Sequence, residues 1–110
     1  MLDEFDAVTA SLEHHRILFE DDCVRVLETL IRPGEETALH THVWAGHLYI
    51  ISWSDCLRYD PQRNVLMDSR HVASPPVPGT IIPASALPLH SLHNVGTQNI
   101  HVIMTEFKDR

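Results

Sequence analysis

Four histidines carry the chemistry legible in this chain: His40 and His42, two apart, His47 just after them, and His90 far downstream. On a strand, residues two apart point to the same face, so the imidazoles of His40 and His42 aim at one point. Neutral imidazoles in a cluster suit one divalent first-row transition metal, with water or substrate in the positions left open. Nine histidines in 110 residues make a lone His-x-His pair weak evidence. Gly34 ahead of the pair, and Asn94 after His90, give it a context. His47 opens the next apolar run. If that run is a regular strand, His47 shares a face with Tyr49, Ile51 and Trp53, while Leu48, Ile50 and Ser52 line the other. His47 is then a fourth ligand or a plain wall residue. Tyr49, Ile51 and Trp53, with His101 on the last apolar run, are the candidate walls of a small, largely apolar substrate pocket.

The other reactive side chains carry weaker signals. His93 stands three residues from His90, an odd spacing that turns it away from the metal on an unbroken strand. His14, His15 and His71 have no spacing signal and read as solvated. No Gly-x-Ser-x-Gly elbow occurs, and neither cysteine lies in a motif that would lower its pKa. The acidic runs Glu20-Asp21-Asp22 and Glu35-Glu36 read as solvated loop faces.

A chain of 110 residues makes one domain with a single core. Its net charge of −7, from 8 basic against 15 acidic residues, argues against nucleic-acid or anionic-membrane partners. Acidic substrates are repelled as well, unless a local basic group or a metal overrides the field. Cys23 and Cys56 are too few for a disulfide framework, and no basic-plus-apolar leader precedes the domain. No apolar run approaches the roughly 20 residues that span a bilayer. The expectation is a cytoplasmic protein with reduced thiols, acting on a small molecule.

The positioning elements follow from punctuation. Residues 1–13 form an N-terminal arm or short helix, with Leu2, Phe5, Val8 and Leu12 at helical spacing. Strands are expected at His15–Phe19, Cys23–Ile31, Thr37–His42, His47–Trp53, Cys56–Tyr59, Val65–Val72, Thr80–Ile82, Leu87–Leu92 and Ile100–Phe107. Pro33-Gly34 and Asp60-Pro61 mark turns. Many short strands without a long helix make an all-β sandwich or barrel over residues 14–110. Sheet edges in so small a domain predict a homodimer, paired through the N-terminal segment or the edge near Trp44.

The spacing resembles the cupin signature. Gly34, His40 and His42 fit its first motif, with His47 where a Glu belongs and Ser54 where a Gly belongs. Gly79, His90 and Asn94 fit the second motif, with Ser85 and Leu87 in place of its Pro and Gly. The stretches Val24–Glu28, Arg32–Glu35, His90–Gly96 and Met104–Lys108 look like those of small single-domain bacterial cupins, a likeness covering roughly residues 14–108. It implies a small jelly-roll barrel with one divalent metal at His40, His42, His47 and His90, iron first, with Zn, Ni, Mn, Cu or Co as alternatives. The activity most specifically implied is an Fe(II) dioxygenase acting on a small diketone-like compound. The alternatives are a metal-dependent isomerase, lyase or decarboxylase, and a non-catalytic metal- or ligand-binding module.

Overall fold

Alternation of apolar and polar residues produces nine strands in the computed structural model, which describes residues 3–108. They are β1 (His15–Glu20), β2 (Val24–Ile31), β3 (His40–His42), β4 (Gly46–Ser52), β5 (Cys56–Tyr59), β6 (Val65–Asp68), β7 (Ile81–Ala84), β8 (Leu87–Asn94) and β9 (Ile100–Phe107). Two antiparallel sheets result, ordered β1-β2-β9-β4-β7 and β3-β8-β5-β6. This is an all-β jelly roll; the strand spacing predicts the all-β class, and the cupin resemblance implies the jelly roll.

Register decides what faces inward. In β2 the buried set is Arg25, Leu27, Thr29 and Ile31, and in β9 it is Ile100, Val102, Met104 and Glu106. Ile31 and Ile100 pack with Cys56 at one end of the interior, against Trp53, Met67 and Leu92. Towards the other end the same two faces carry charge, because Arg25 lies directly opposite Glu106.

Two expected strands are shorter than the sequence suggests. The Thr37–His42 run is regular only from His40, although Thr37 stays tied to β8 through hydrogen bonds with Leu92. The Val65–Val72 run stops at Asp68, whose carboxylate accepts from the Arg70 N–H at 3.0 Å and caps a 3-10 turn over Ser69–His71. That turn brings the Ser69 hydroxyl inward to accept from the Cys56 N–H at 2.8 Å.

The N-terminal arm docks, but not through the apolar residues that suggested it. Phe5 and Leu12 are 41% and 70% exposed, and Leu2 lies outside the described residues. Asp6, Ala7 and Ser11 are the buried ones. A four-residue helix, α1 (Ala7–Ala10), is capped by Asp6, and the Phe5 carbonyl accepts from the Thr41 N–H at 2.6 Å, laying the arm beside β3. Backbone pairing and one buried carboxylate anchor the arm, so the helical spacing of its apolar residues was not the operative signal.

Two glycines have a specific task. Gly34 turns with φ at 84°, a left-handed conformation, and donates its N–H to the Asn94 carbonyl at 2.9 Å. Gly46 lies so close to β9 that a Cβ there would sit 1.8 Å from the Thr105 carbonyl oxygen. That approach holds β4 and the Glu106 region of β9 together.

Candidate metal centre

β3 carries His40 and His42 on one face, and cross-strand pairing sets His40 against His90 of β8. The ring centroids are 5.0 Å apart for His40 and His42, 4.4 Å for His40 and His90, and 5.7 Å for His42 and His90. A fourth imidazole joins them from the first residue of β1. His15 is 3% exposed, with its ring 4.7 Å from His40 and 5.5 Å from His42. His15, His40 and His42 each offer a nitrogen within 4.8 Å of the others, close enough to share one ion.

Hydrogen bonding sets the state of these rings. Nδ1 of His40 lies 2.8 Å from the Ala38 carbonyl, Nδ1 of His90 is 2.7 Å from the Pro88 carbonyl, and Nδ1 of His15 is 3.0 Å from the Ser11 carbonyl. A carbonyl only accepts, so each Nδ1 carries the proton and each Nε2 keeps its lone pair. This is the second-partner arrangement that orients metal-binding imidazoles. Burial, with the neighbouring imidazoles adding to it, lowers the pKa of His15 to about 3 and of His40 to about 2. Burial, with His42 and Arg58 adding to it, lowers that of His90 to about 4. All three are neutral at pH 7, as ligands must be. The donor set therefore fits a divalent transition metal.

The same shifts predict a pH effect on the metal-free protein. Below the ordinary value of 6.5 the unfolded chain takes up protons that the folded imidazoles refuse. Stability is complete above about pH 6.5 and falls as the pH drops toward 4, by up to about 1.4 kcal/mol per pH unit for each histidine. Urea midpoints measured between pH 7.5 and 5 check this; a flat profile would show that these imidazoles are not held neutral by the fold.

His42 is held differently. Its Nδ1 is buried without a hydrogen-bond partner and faces Glu106 Oε2 at 3.6 Å, an oxygen that is likewise unpartnered. The other Glu106 oxygen accepts from Arg25 Nε at 2.6 Å, and Arg25 also donates to both oxygens of Asp6, at 2.9 and 3.0 Å. All three charged residues are at most 2% exposed. Burial alone would pull the Arg25 pKa down, but the bonds from Asp6 and Glu106 outweigh it and raise it above the ordinary arginine value. The network sets two buried carboxylates against one guanidinium, so its formal charge is −1 and it sits behind the cluster, where it favours a bound cation.

The histidines face a cavity of about 100 Å³, walled by Leu48, Trp53, Leu87, Leu92, Ile100, Val102 and Met104 and reached by Arg58 and Ser85. No family model matches this chain, and no curated protein matches it. Solved structures do. A cupin domain from Bordetella pertussis Tohama I aligns with 86% of this chain and 92% of its own, at a TM-score of 0.67 and 18% identity. The chain has the cupin fold. An RmlC-like cupin from Methanocaldococcus jannaschii aligns over 84% of this chain and 77% of its own, at a TM-score of 0.58 and 13% identity. The polyketide cyclase RemF from Streptomyces resistomycificus aligns over 96% of this chain and 73% of its own, at a TM-score of 0.57 and 18% identity.

Within this cupin fold the residues expected from the spacing divide sharply. His40, His42 and His90 come together. His47 does not: it is exposed on the outer face of β4, with its ring 5.1 Å from Phe107, while Leu48 beside it lines the cavity. Tyr49 and Ile51 are also exposed on that outer face, so neither is a pocket wall. Trp53 does line the cavity, because the β4–β9 register shifts between Ile50 and Ser52 and the bulge reverses the alternation before residue 53. His101 points out of the barrel to Glu28, at 2.8 Å. Trp44 is half-buried, with Arg25 and Lys108 at 5.1 and 5.7 Å from its ring.

Asn94, matched to the second motif, is a strut. Its amide donates to the Ile31 and Gln98 carbonyls at 2.9 and 2.7 Å and accepts from the Gly96 N–H at 3.0 Å. Sequence reasoning missed His15, Arg25, Glu106 and Asp6. A signal existed for two of them, since Arg25 is in phase with Leu27 and Ile31, and Glu106 with Met104 and Val102. A charge in phase with a buried face requires a buried partner. Cys23 and Cys56 are free, the first exposed and the second buried. Among the described residues no helix is long and apolar enough to cross a membrane.

Proposed function

We propose that this protein binds one divalent transition metal, iron first, through His15, His40, His42 and His90, and acts as a dioxygenase on a small organic molecule. The carrying observation is the convergence of four buried imidazoles on one cavity wall, three of them with Nδ1 tied to a backbone carbonyl. Bound Fe(II) would supply redox chemistry with oxygen and polarise a substrate oxygen. The chain supplies the rest. The carbonyls of Ser11, Ala38 and Pro88 hold three rings in the tautomer that leaves Nε2 free. The Glu106 carboxylate stands behind His42 and stabilises positive charge on its side of the site. Leu48, Leu87, Leu92 and Met104 keep the cavity apolar, which strengthens every electrostatic contact made inside it.

Cavity size narrows the substrate. About 100 Å³ is well below the roughly 300–1,000 Å³ of pockets for drug-sized ligands. A small diketone is the better match than a polyketide; because a protein named a polyketide cyclase shares the fold, a non-redox reaction with the metal as Lewis acid is the second reading. Anaerobic titration of the Fe(II)-loaded protein with acetylacetone and with small thiols, followed by oxygen-uptake measurement, separates the two. Uptake above the metal-free control supports the dioxygenase; a metal-dependent spectral change without uptake selects the Lewis-acid reading.

A further inference from the structure

Charge is unbalanced at one place in the cavity. Arg16, Arg25, Arg32, Arg63 and Arg70 each reach a carboxylate. Arg58 makes no ion pair and no side-chain hydrogen bond among the described residues, and its Nε is buried without a partner. Its position explains the inward aim: Arg58 shares a face of β5 with fully buried Cys56 and lies opposite Leu92 of β8, one of the cavity walls. Cys56 does not neutralise it, since burial pushes that thiol up to about 11. The neutral imidazoles do not either. Trp53, on the same cavity, presents a second buried donor, its indole Nε1, that also lacks an acceptor.

Leaving a half-buried arginine with a buried Nε unpaired is costly, and in a chain of net charge −7 a carboxylate partner was readily available to evolution. The donors are also specific in kind. A guanidinium presents a planar fork that matches the two oxygens of a carboxylate, and an indole N–H can reach a further lone pair. A tetrahedral anion such as phosphate offers more oxygens than these two groups can satisfy.

We propose that Arg58 and Trp53 form a carboxylate-binding subsite, so that the molecule held beside the histidine cluster is a small monocarboxylic acid with a keto or enol oxygen at its other end. The placement of that second oxygen rests on the metal reading above; the carboxylate subsite does not. Arg58 then supplies the local positive charge that lets an acid enter a chain whose overall field repels it.

The test uses the full chain, metal-free and loaded with redox-silent Zn(II), titrated calorimetrically with acetoacetate and with its uncharged isostere acetoacetamide. Acetoacetate is expected to bind at least about tenfold more tightly than acetoacetamide to both forms, as a charge-assisted contact requires. Arg58→Gln should remove that preference, and Trp53→Phe should reduce it by a few fold. A purely structural arginine would lower the melting temperature when replaced. Arg58→Met is expected to melt at or above the wild-type temperature, because it removes a half-buried charge that no carboxylate balances. Equal binding of the two probes by the wild-type protein overturns the subsite whether or not any variant folds, and so does a preference that survives Arg58→Gln. Metal stoichiometry is measured on the same samples. A carboxylate preference in protein that binds no metal keeps the subsite and discards the metal reading; stoichiometric metal without the preference does the reverse.

Discussion

Replacing His15 by Ala is expected to strip the protein of its metal as thoroughly as replacing His40 or His42, whereas His47→Ala leaves metal content at the wild-type level. His15 is buried against His40 and His42 and its Nδ1 is committed to the Ser11 carbonyl. His47 is on the opposite side of its strand. Even a group that only supports a ligand costs 10–100-fold in metal affinity when removed, so losing a ligand itself should cost at least about tenfold. Elemental analysis of untagged protein, together with competition against a chelator of known affinity, reads this directly. Wild-type stoichiometry and affinity in His15→Ala would remove His15 from the centre, and depletion in His47→Ala would mean that β4 presents its other face.

The second large effect is on stability. Arg25→Ala leaves Asp6 and Glu106 buried with no cation between them, and breaking a buried pair from one side costs about 3–5 kcal/mol. For a domain of this size that corresponds to a fall in melting temperature on the order of 15 °C. Arg16→Ala is the control. Arg16 bonds Glu28 at 2.6 Å but its side chain is 71% exposed, so solvent screens the pair and the change should stay within about 1 kcal/mol. Thermal and urea denaturation of both variants decide the matter. Adding Asp6→Asn and Glu106→Gln to Arg25→Ala should recover part of the loss, since the residual charges are the source of the cost. Equal melting of the Arg25 and Arg16 variants would show that the triad does not hold the arm to the barrel.

Much of the site's frame is legible in the sequence. His40-x-His42 fixes two imidazoles on one face because strand alternation has a period of two, and this needs no tertiary information. The turn at Pro33-Gly34 has a local signal of the same kind, whereas His90 and Asn94 are marked by the resemblance to the second cupin motif. The difficulties begin where alternation must be counted from an unknown origin. His47 and Leu48 are neighbours, and whether the pair points a histidine or a leucine into the barrel depends on the pairing of β4 with β9, which Gly46 sets by its close approach to Thr105. Beyond Ile50 a bulge reverses the count, so Trp53 enters the cavity although Tyr49 and Ile51 do not.

His14 and His15 pose the same problem more sharply. They are adjacent, and a slip of one residue exchanges which of them is inside. Pairing of His15 with Thr29 of β2, and the capture of its ring by the Ser11 carbonyl, put His15 in the centre. The sequence by itself determined the all-β class, the succession of strands along the chain and the shared face of His40 and His42, because these follow from local periodicity and turn chemistry, and the cupin resemblance added His90. Only the tertiary structure decided the fourth imidazole, the Asp6–Arg25–Glu106 network behind His42 and the unpaired Arg58 in the cavity wall. Each depends on register between strands distant in sequence, and register is fixed by the packing of the whole barrel rather than by any one of its segments.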